Sequence, residues 1–133
     1  MRIDGGCHCG AITFEADVDP AGVYVCSCTD CQILSGSPYR IVIPVAAEKV
    51  TLTGEPKIYM KTAESGRPRQ QTFCADCGAP IYSRGVGEDA GRLALRWGTV
   101  TQRNDIKPAR RAWCRSAAPW LDELSDLPAS DTA

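Results

Sequence analysis

The chain has 133 residues and a formal net charge of −1, which suits one globular domain and argues against a nucleic-acid partner, since such proteins carry a basic face. No stretch approaches the ~18 apolar residues of a membrane span, and the start has no apolar run typical of a secretory signal. The sequence therefore predicts a cytoplasmic protein without a membrane partner. We expect one domain over residues 1–124 and a flexible tail over 125–133, while nothing indicates an oligomeric state.

Read in chain order, the predicted elements are almost all β. Alternating or β-branched stretches predict strands over 11–16, 23–25, 39–43, 49–53, 57–61, 70–73, 80–83, 93–97 and 112–114. Pro44 is expected to stop the third strand, and Gly54-Glu55-Pro56 predicts a hairpin between the next two. Helix is limited to one turn over 29–34 and a segment over 119–124 that we expect to cover the core. The fold class is therefore mainly β with little helix.

Eight cysteines are the most informative residues of the chain. An even count leaves a disulfide framework open, but a reducing compartment favours metal binding. The spacings agree, because Cys-x-x-Cys-Gly is typical of a zinc knuckle, whose glycine lets the backbone turn behind the ligands. A disulfide within Cys-x-Cys would be strained. We therefore interpret the cysteines as zinc ligands.

The outer cysteines form two pairs, Cys7/Cys9 and Cys74/Cys77, each followed by a glycine and a predicted strand. Two knuckles at the ends of neighbouring strands would bring the pairs together. Four thiolates complete a tetrahedral shell without a free position, which makes a structural zinc site. Such a site would close a long loop, where a cross-link contributes most to stability.

Between these pairs lies a triplet, Cys26, Cys28 and Cys31. Three thiolates with an exchangeable fourth ligand are the arrangement of a catalytic zinc, and a small thiol suits that fourth position. Cys114 offers an alternative, since it could close the second site as a fourth cysteine. It could also be a buried apolar residue on the last strand.

Together these motifs resemble the glutathione-dependent formaldehyde-activating enzyme family. The resemblance runs from about Gly5 to Trp120. It is carried by Gly6-Cys7-His8-Cys9-Gly10, Cys26-x-Cys28-x-x-Cys31, Phe73-Cys74-x-x-Cys77-Gly78, Trp97-Gly98-Thr99-Val100 and the closing Trp113-Cys114-Arg115-Ser116-Ala117-Ala118-Pro119-Trp120. Centromere protein V shares this domain, so the fold also serves binding roles.

The resemblance implies a β-tent fold of stacked antiparallel sheets stapled by two zinc ions. In the family, positions matching Cys7, Cys9, Cys74 and Cys77 hold the structural zinc, and those matching Cys26, Cys28 and Cys31 hold the catalytic one. The implied activity is that of a carbon–sulfur lyase, joining glutathione and formaldehyde into S-(hydroxymethyl)glutathione. The alternative is a non-catalytic zinc-stapled binding module whose second zinc is closed by a protein ligand.

Other polar residues are weaker candidates for the second site. The family often has a histidine where this chain has Ser27. Glutathione carries two carboxylates, so arginines near the second zinc would help to bind it unless they lie on the solvent face. The candidates are Arg40, Arg67, Arg69 and Arg96. Ser35 and Ser37 would either contact a substrate or shape the turn, and Asp30 would cap it.

Overall fold

Ten short strands form two sheets that enclose a shared apolar core in the computed structural model, which describes residues 1–133. The strands are β1 (Arg2–Gly6), β2 (Thr13–Asp17), β3 (Tyr24–Cys26), β4 (Arg40–Ala46), β5 (Val50–Thr53), β6 (Lys57–Thr62), β7 (Pro68–Phe73), β8 (Pro80–Gly85), β9 (Arg92–Arg96) and β10 (Arg110–Ala112). The one α-helix is α1 (Thr29–Ser35). Short 3₁₀ turns cover Pro20–Gly22, Ala47–Lys49, Gly87–Gly91, Trp97–Thr99, Arg103–Asp105, Cys114–Ser116 and Leu121–Asp126.

The smaller sheet has the order β1-β2-β5, and the larger one β10-β3-β4-β9-β8-β7-β6. Every pairing is antiparallel except that of β10 with β3. The prediction of a mainly β fold with stacked sheets and little helix is confirmed. No helix in the structure has the length and apolar character needed to cross a bilayer.

Alternation along the strands decides which face of the larger sheet meets the core. Ile43 and Val45 of β4 point into the core, as do Leu93 and Leu95 of β9. The residues between them lie on the opposite face, because successive strand residues point to opposite sides. That outer face therefore receives the polar residues of β4 and β9, and it carries the candidate site.

The predicted hairpin around Gly54-Glu55-Pro56 is wrong. Strand β5 pairs with β2 in the smaller sheet, whereas β6 pairs with β7 in the larger one. The turn therefore carries the chain from one sheet to the other. Gly54 has φ +91, and a Cβ there would collide with the carbonyl oxygen of Ala11. Alternation identifies strands but not their partners, which is why this connection was misassigned.

The predicted stop at Pro44 is also wrong, because β4 continues to Ala46. Strand β3 pairs only with residues 40–42 of β4. Beyond those residues β4 is an edge on that side, where a proline is tolerated because no neighbouring strand needs its N–H. Strand β1 was not predicted, since Ile3 is its only large apolar residue, and that side chain is buried.

The C-terminal predictions need correction as well. Strand β10 ends at Ala112, and Cys114 is exposed at the start of a 3₁₀ turn, so it is not a buried residue of the last strand. The expected helix over 119–124 is a 3₁₀ turn over Leu121–Asp126. Trp120 and Leu124 are exposed and do not cover the core.

Replacement of Gly5 by alanine tests how closely β1 approaches the chain after β9. A Cβ at Gly5 would lie 2.6 Å from Phe14 Cζ and closer still to the carbonyl oxygen of Thr99. Because backbone cannot move aside easily, we expect Gly5→Ala to reduce the free energy of unfolding by about 1–3 kcal/mol in urea titrations. Gly98→Ala is the control, since a Cβ there meets nothing within 4 Å and its effect should stay below about 1 kcal/mol. Equal stability of the two variants would contradict this packing.

Candidate metal centres

The outer cysteine pairs converge on one point. The sulfur atoms of Cys7, Cys9, Cys74 and Cys77 all lie within 4.8 Å of one another. Cys9 Sγ is 3.6 Å from Cys7 Sγ and 3.7 Å from Cys74 Sγ. A tetrahedron with metal–sulfur bonds of about 2.3 Å has edges of about 3.8 Å, whereas a disulfide bond is about 2 Å long. The cluster therefore has the dimensions of a four-thiolate metal site.

This cluster lies where the two sheets meet. The Cys7–Cys9 turn joins β1 to β2 of the smaller sheet, and the Cys74–Cys77 turn joins β7 to β8 of the larger one. The expectation that the knuckles end neighbouring strands needs correction, since β2 and β8 belong to different sheets. The four sulfurs consequently lie at the junction of the sheets, at one end of the core, where a bound metal would hold the sheets together.

Each turn directs backbone N–H groups at its sulfurs. Gly10 and Gly78 have φ of +84 and +77, the left-handed conformation that the knuckle prediction requires. The N–H of Ile12 donates to Cys7 Sγ at 3.2 Å. A hydrogen bond from the backbone of Ala79 lowers the pKa of Cys77 to about 6. Such donors favour the thiolate form, which is the form that binds metal.

The triplet forms a second cluster, with the three sulfurs again within 4.8 Å of one another. Cys26 ends β3, Cys28 is the N-cap of α1, and Cys31 lies in the first turn of that helix. The capping sulfur of Cys28 accepts the N–H of Cys31 at 3.4 Å. A hydrogen bond from Cys31 lowers the pKa of Cys26 to about 5, and the same contact raises the pKa of Cys31. Cys114 is exposed and belongs to neither cluster.

The chain after β10 fixes the loop that carries the triplet. The carbonyl oxygen of the buried Ser27 accepts hydrogen bonds from Gln32 Nε2 at 2.8 Å and from Ser116 Oγ at 2.9 Å. Its N–H donates to the carbonyl oxygen of Ala112 at 3.1 Å. Trp113 follows with φ +58, the only positive φ outside glycine. This residue also lines a cavity beside the triplet. Strained backbone is common at functional sites.

A cavity of about 190 Å³ opens beside the triplet, between α1 and the outer face of the larger sheet. A second cavity of about 570 Å³ lies next to it, and the two share several wall residues. The smaller cavity is lined by Tyr24, Cys26, Cys28, Asp30, Cys31, Leu34, Arg40, Val42, Lys61, Ala63, Glu64, Arg69, Gln71, Ser83, Ala94, Arg96 and Trp113. The triplet sulfurs can therefore meet a small molecule.

Three of the four candidate arginines line this cavity. Arg40 and Arg96 are each 6% exposed, although both lie on the face of the sheet away from the core. Arg96 Nη2 donates to Gln71 Oε1 at 2.8 Å, while its Nε is buried without a partner. Burial, and then the positive charge of Arg40, lowers the pKa of Arg96 to about 9. Arg69 Nη2 donates to Ser83 Oγ at 3.4 Å.

The remaining candidates have other roles. Arg67 pairs with Asp89 at 3.3 Å and lines only the larger cavity. Ser35 Oγ donates to the carbonyl oxygen of Cys31 at 2.6 Å, so it shapes the helix. Asp30 does not cap α1, because Cys28 does, and it forms an ion pair with Lys61 instead.

Several cavity residues were not predicted from the sequence, namely Tyr24, Lys61, Gln71 and Ser83. Register explains how they meet. Tyr24 is opposite Val42, and Gln71 is opposite Ser83, so their side chains share the outer face with that of Arg40. A signal did exist in the sequence, because Arg96 alternates with the core residues of β9 and Arg40 begins the apolar strand β4. Without the order of the strands it could not show which of them share a cavity.

Comparison with known proteins gives the chain a fold relative and a family. A crystal structure of a Rhodobacter sphaeroides protein matches it with a TM-score of 0.63 at 16% sequence identity, over 82% of this chain and 99% of that one. At this identity the match shows a shared fold. The family described as glutathione-dependent formaldehyde-activating enzyme matches residues 2–116, which contain both cysteine clusters and every arginine of the cavity. The chain therefore belongs to the glutathione-dependent formaldehyde-activating enzyme family.

Proposed function

We propose that the protein is a zinc-dependent carbon–sulfur lyase that catalyses the reversible addition of glutathione, or a related small thiol, to formaldehyde. One observation carries the proposal: three cysteine sulfurs, without a fourth from the chain, border a cavity in a member of this family. The product with glutathione is S-(hydroxymethyl)glutathione. We assign the protein to the cytoplasm, whose reducing conditions keep the eight thiols available for metal.

The donor chemistry supports zinc at both clusters, because sets of three or four thiolates favour this ion. Cys7, Cys9, Cys74 and Cys77 would complete a tetrahedral shell and hold a structural zinc. Cys26, Cys28 and Cys31 would hold the second ion and leave one tetrahedral position for a ligand from solution. When bound, this zinc supplies Lewis acidity that ionises a coordinated thiol at neutral pH.

In this addition the residues of the chain would position the reactants and keep part of the water away from them. The thiolate sulfur attacks the carbonyl carbon, a carbon–sulfur bond forms as the carbonyl π bond breaks, and the oxygen takes up the proton that the thiol gave up. The hydrogen bonds from Gln32 and Ser116 to the carbonyl oxygen of Ser27 hold the loop of the triplet in place, so the sulfur of the substrate would be held at a fixed point. Trp113 and Leu34 line the cavity, where their apolar surfaces would exclude part of its water. Two reactants that are held together react faster, because the entropy of bringing them together has already been lost on binding.

The structure offers less support for the alternative, a non-catalytic binding module. That alternative needs a protein ligand to close the second zinc, and Cys114 was the candidate. Cys114 is exposed and outside the cluster of the triplet.

Cysteine substitutions distinguish the two metal sites. We expect the parent chain and Cys114→Ser to hold two zinc ions in native mass spectrometry, and Cys28→Ser to hold one with little loss of fold. Cys9→Ser should lower the free energy of unfolding by several kcal/mol, because metal binding at the junction of the sheets contributes directly to folding. A chain that loses one zinc on Cys114→Ser would show that Cys114 closes the second site.

The activity is tested against the uncatalysed reaction, which also proceeds in water. Exchange-resolved NMR of ¹³C-formaldehyde with glutathione measures the rate of adduct formation and breakdown at equilibrium. We expect the parent protein to accelerate exchange in proportion to its concentration, Cys114→Ser to match it, and Cys28→Ser to fall to the background rate. If the parent gives only the background rate, the lyase assignment is wrong.

A further inference from the structure

The arginines of the cavity carry charge that no carboxylate of the chain balances. Arg40 and Arg96 are buried, and none of the ion pairs in the structure includes either of them or Arg69. The hydrogen-bond partners of Arg69 and Arg96 are the neutral Ser83 and Gln71. Buried guanidinium groups are normally paired with an anion, because burying an isolated charge is costly.

The metal cluster offsets only part of this charge. Three thiolates around a divalent cation carry a single net negative charge. The other charged groups at the cavity cancel one another, since Lys61 pairs with Asp30, and Glu64 pairs with Arg115. The guanidinium groups therefore outnumber the negative charges. A neutral thiol bound as its thiolate adds one negative charge, whereas a thiol with an acid group adds two.

We propose that Arg40, Arg69 and Arg96 form an acid subsite, so that the protein selects thiols carrying an acid group over neutral or cationic thiols of the same length. The inference rests on the proposed function, because it assumes that the sulfur of the ligand lies at the triplet. It goes further because it makes an acid group close to the sulfur the basis of selection, rather than the peptide structure of glutathione.

Strand register places the subsite close to the triplet. Cys26 is opposite Arg40 across β3 and β4, and Val42, the next residue on the same face, is opposite Arg96 on β9. Neighbouring strands are about 4.8 Å apart, so the backbone of Arg40 lies roughly 5 Å, and that of Arg96 roughly 10 Å, from the backbone of Cys26. Because the triplet and all three arginines line the same cavity, a small thiol can contact both.

Arg96 is held in place but not satisfied by the chain. Its Nη2 donates to Gln71, which fixes the guanidinium, while the buried Nε–H has no acceptor. Nε itself has almost no accessible surface, so a carboxylate in the cavity would compensate the charge of the guanidinium rather than accept from Nε. The same arginines could instead serve only to balance the cysteine thiolates, and the experiment must separate these two roles.

Three thiols with one HS–CH₂–CH₂ stem make that separation: 3-mercaptopropionate, 2-mercaptoethanol and cysteamine are anionic, neutral and cationic. Their Kd values are measured by calorimetry on the zinc-loaded protein, with propionate as the acid that lacks a thiol. We expect 3-mercaptopropionate to bind at least about tenfold tighter than the other two thiols. Arg96→Gln should weaken it about ten- to a hundredfold, the usual range for a hydrogen bond between charged groups, with little effect on 2-mercaptoethanol.

Arg84→Gln is the matched control. Arg84 donates to Gln70 at 2.9 Å, a pair like Arg96 and Gln71, but it does not line the cavity, so the preference should persist. Arg69→Gln, at a less buried position, provides a second variant if Arg96→Gln does not fold. It should also reduce the preference for the acid.

The outcomes separate this inference from the proposed function. Thiols that bind equally well whatever their charge would overturn the acid subsite and leave the lyase assignment standing. Equal weakening of all three thiols by Arg96→Gln would also overturn it, since the arginine would then act only on the cysteines. If no thiol binds while propionate binds to the parent and not to Arg96→Gln, the subsite is supported and the proposed function fails.

Discussion

The contact between the two outer cysteine pairs is the constraint on which the rest of the structure depends. Cys9 and Cys74 are 65 positions apart, yet their sulfurs lie 3.7 Å from each other. Because one pair belongs to the smaller sheet and the other to the larger, this contact sets how the sheets face each other across the core. A metal bound by these four sulfurs would add a fixed point to the apolar packing between the sheets.

The second cluster is built on a different principle. Its three sulfurs come from six consecutive residues, and the N-cap geometry of α1 brings two of them together. Local contacts, such as that of Gln32, supply only part of the rigidity of this loop, and the rest comes from Ser116 and Ala112, more than eighty positions later. The last strand and the turn after it therefore belong to the site although they hold no metal ligand. The family match extends to residue 116 and so includes both of these residues.

Much of the site was predictable because its chemistry is local. Cysteine spacing indicated both clusters, and alternation indicated most strands. The sequence did not show which sheet each strand joins, because an alternating segment such as β5 or β6 fits any partner with a complementary face. The error over the hairpin at Gly54 and the uncertainty over the arginines share this cause. Arg40 and Arg67 look alike in the sequence, but strand order buries one beside the triplet and pairs the other with Asp89 near the surface.

The buried arginines on the outer face of the larger sheet lower the stability of the free protein, and packing of the core gives no reason for them to be there. Arginine on an exposed strand face is ordinary, but here α1 covers that face, and the covered guanidinium groups lose hydration without gaining a carboxylate. Apolar residues at these positions would pack under the helix with less penalty. A fold that retains such charges beside three thiolates is less stable than it could be. The unbalanced charge is favourable only when an anion enters the cavity, so the same feature that weakens the free protein strengthens its complex with an acidic ligand.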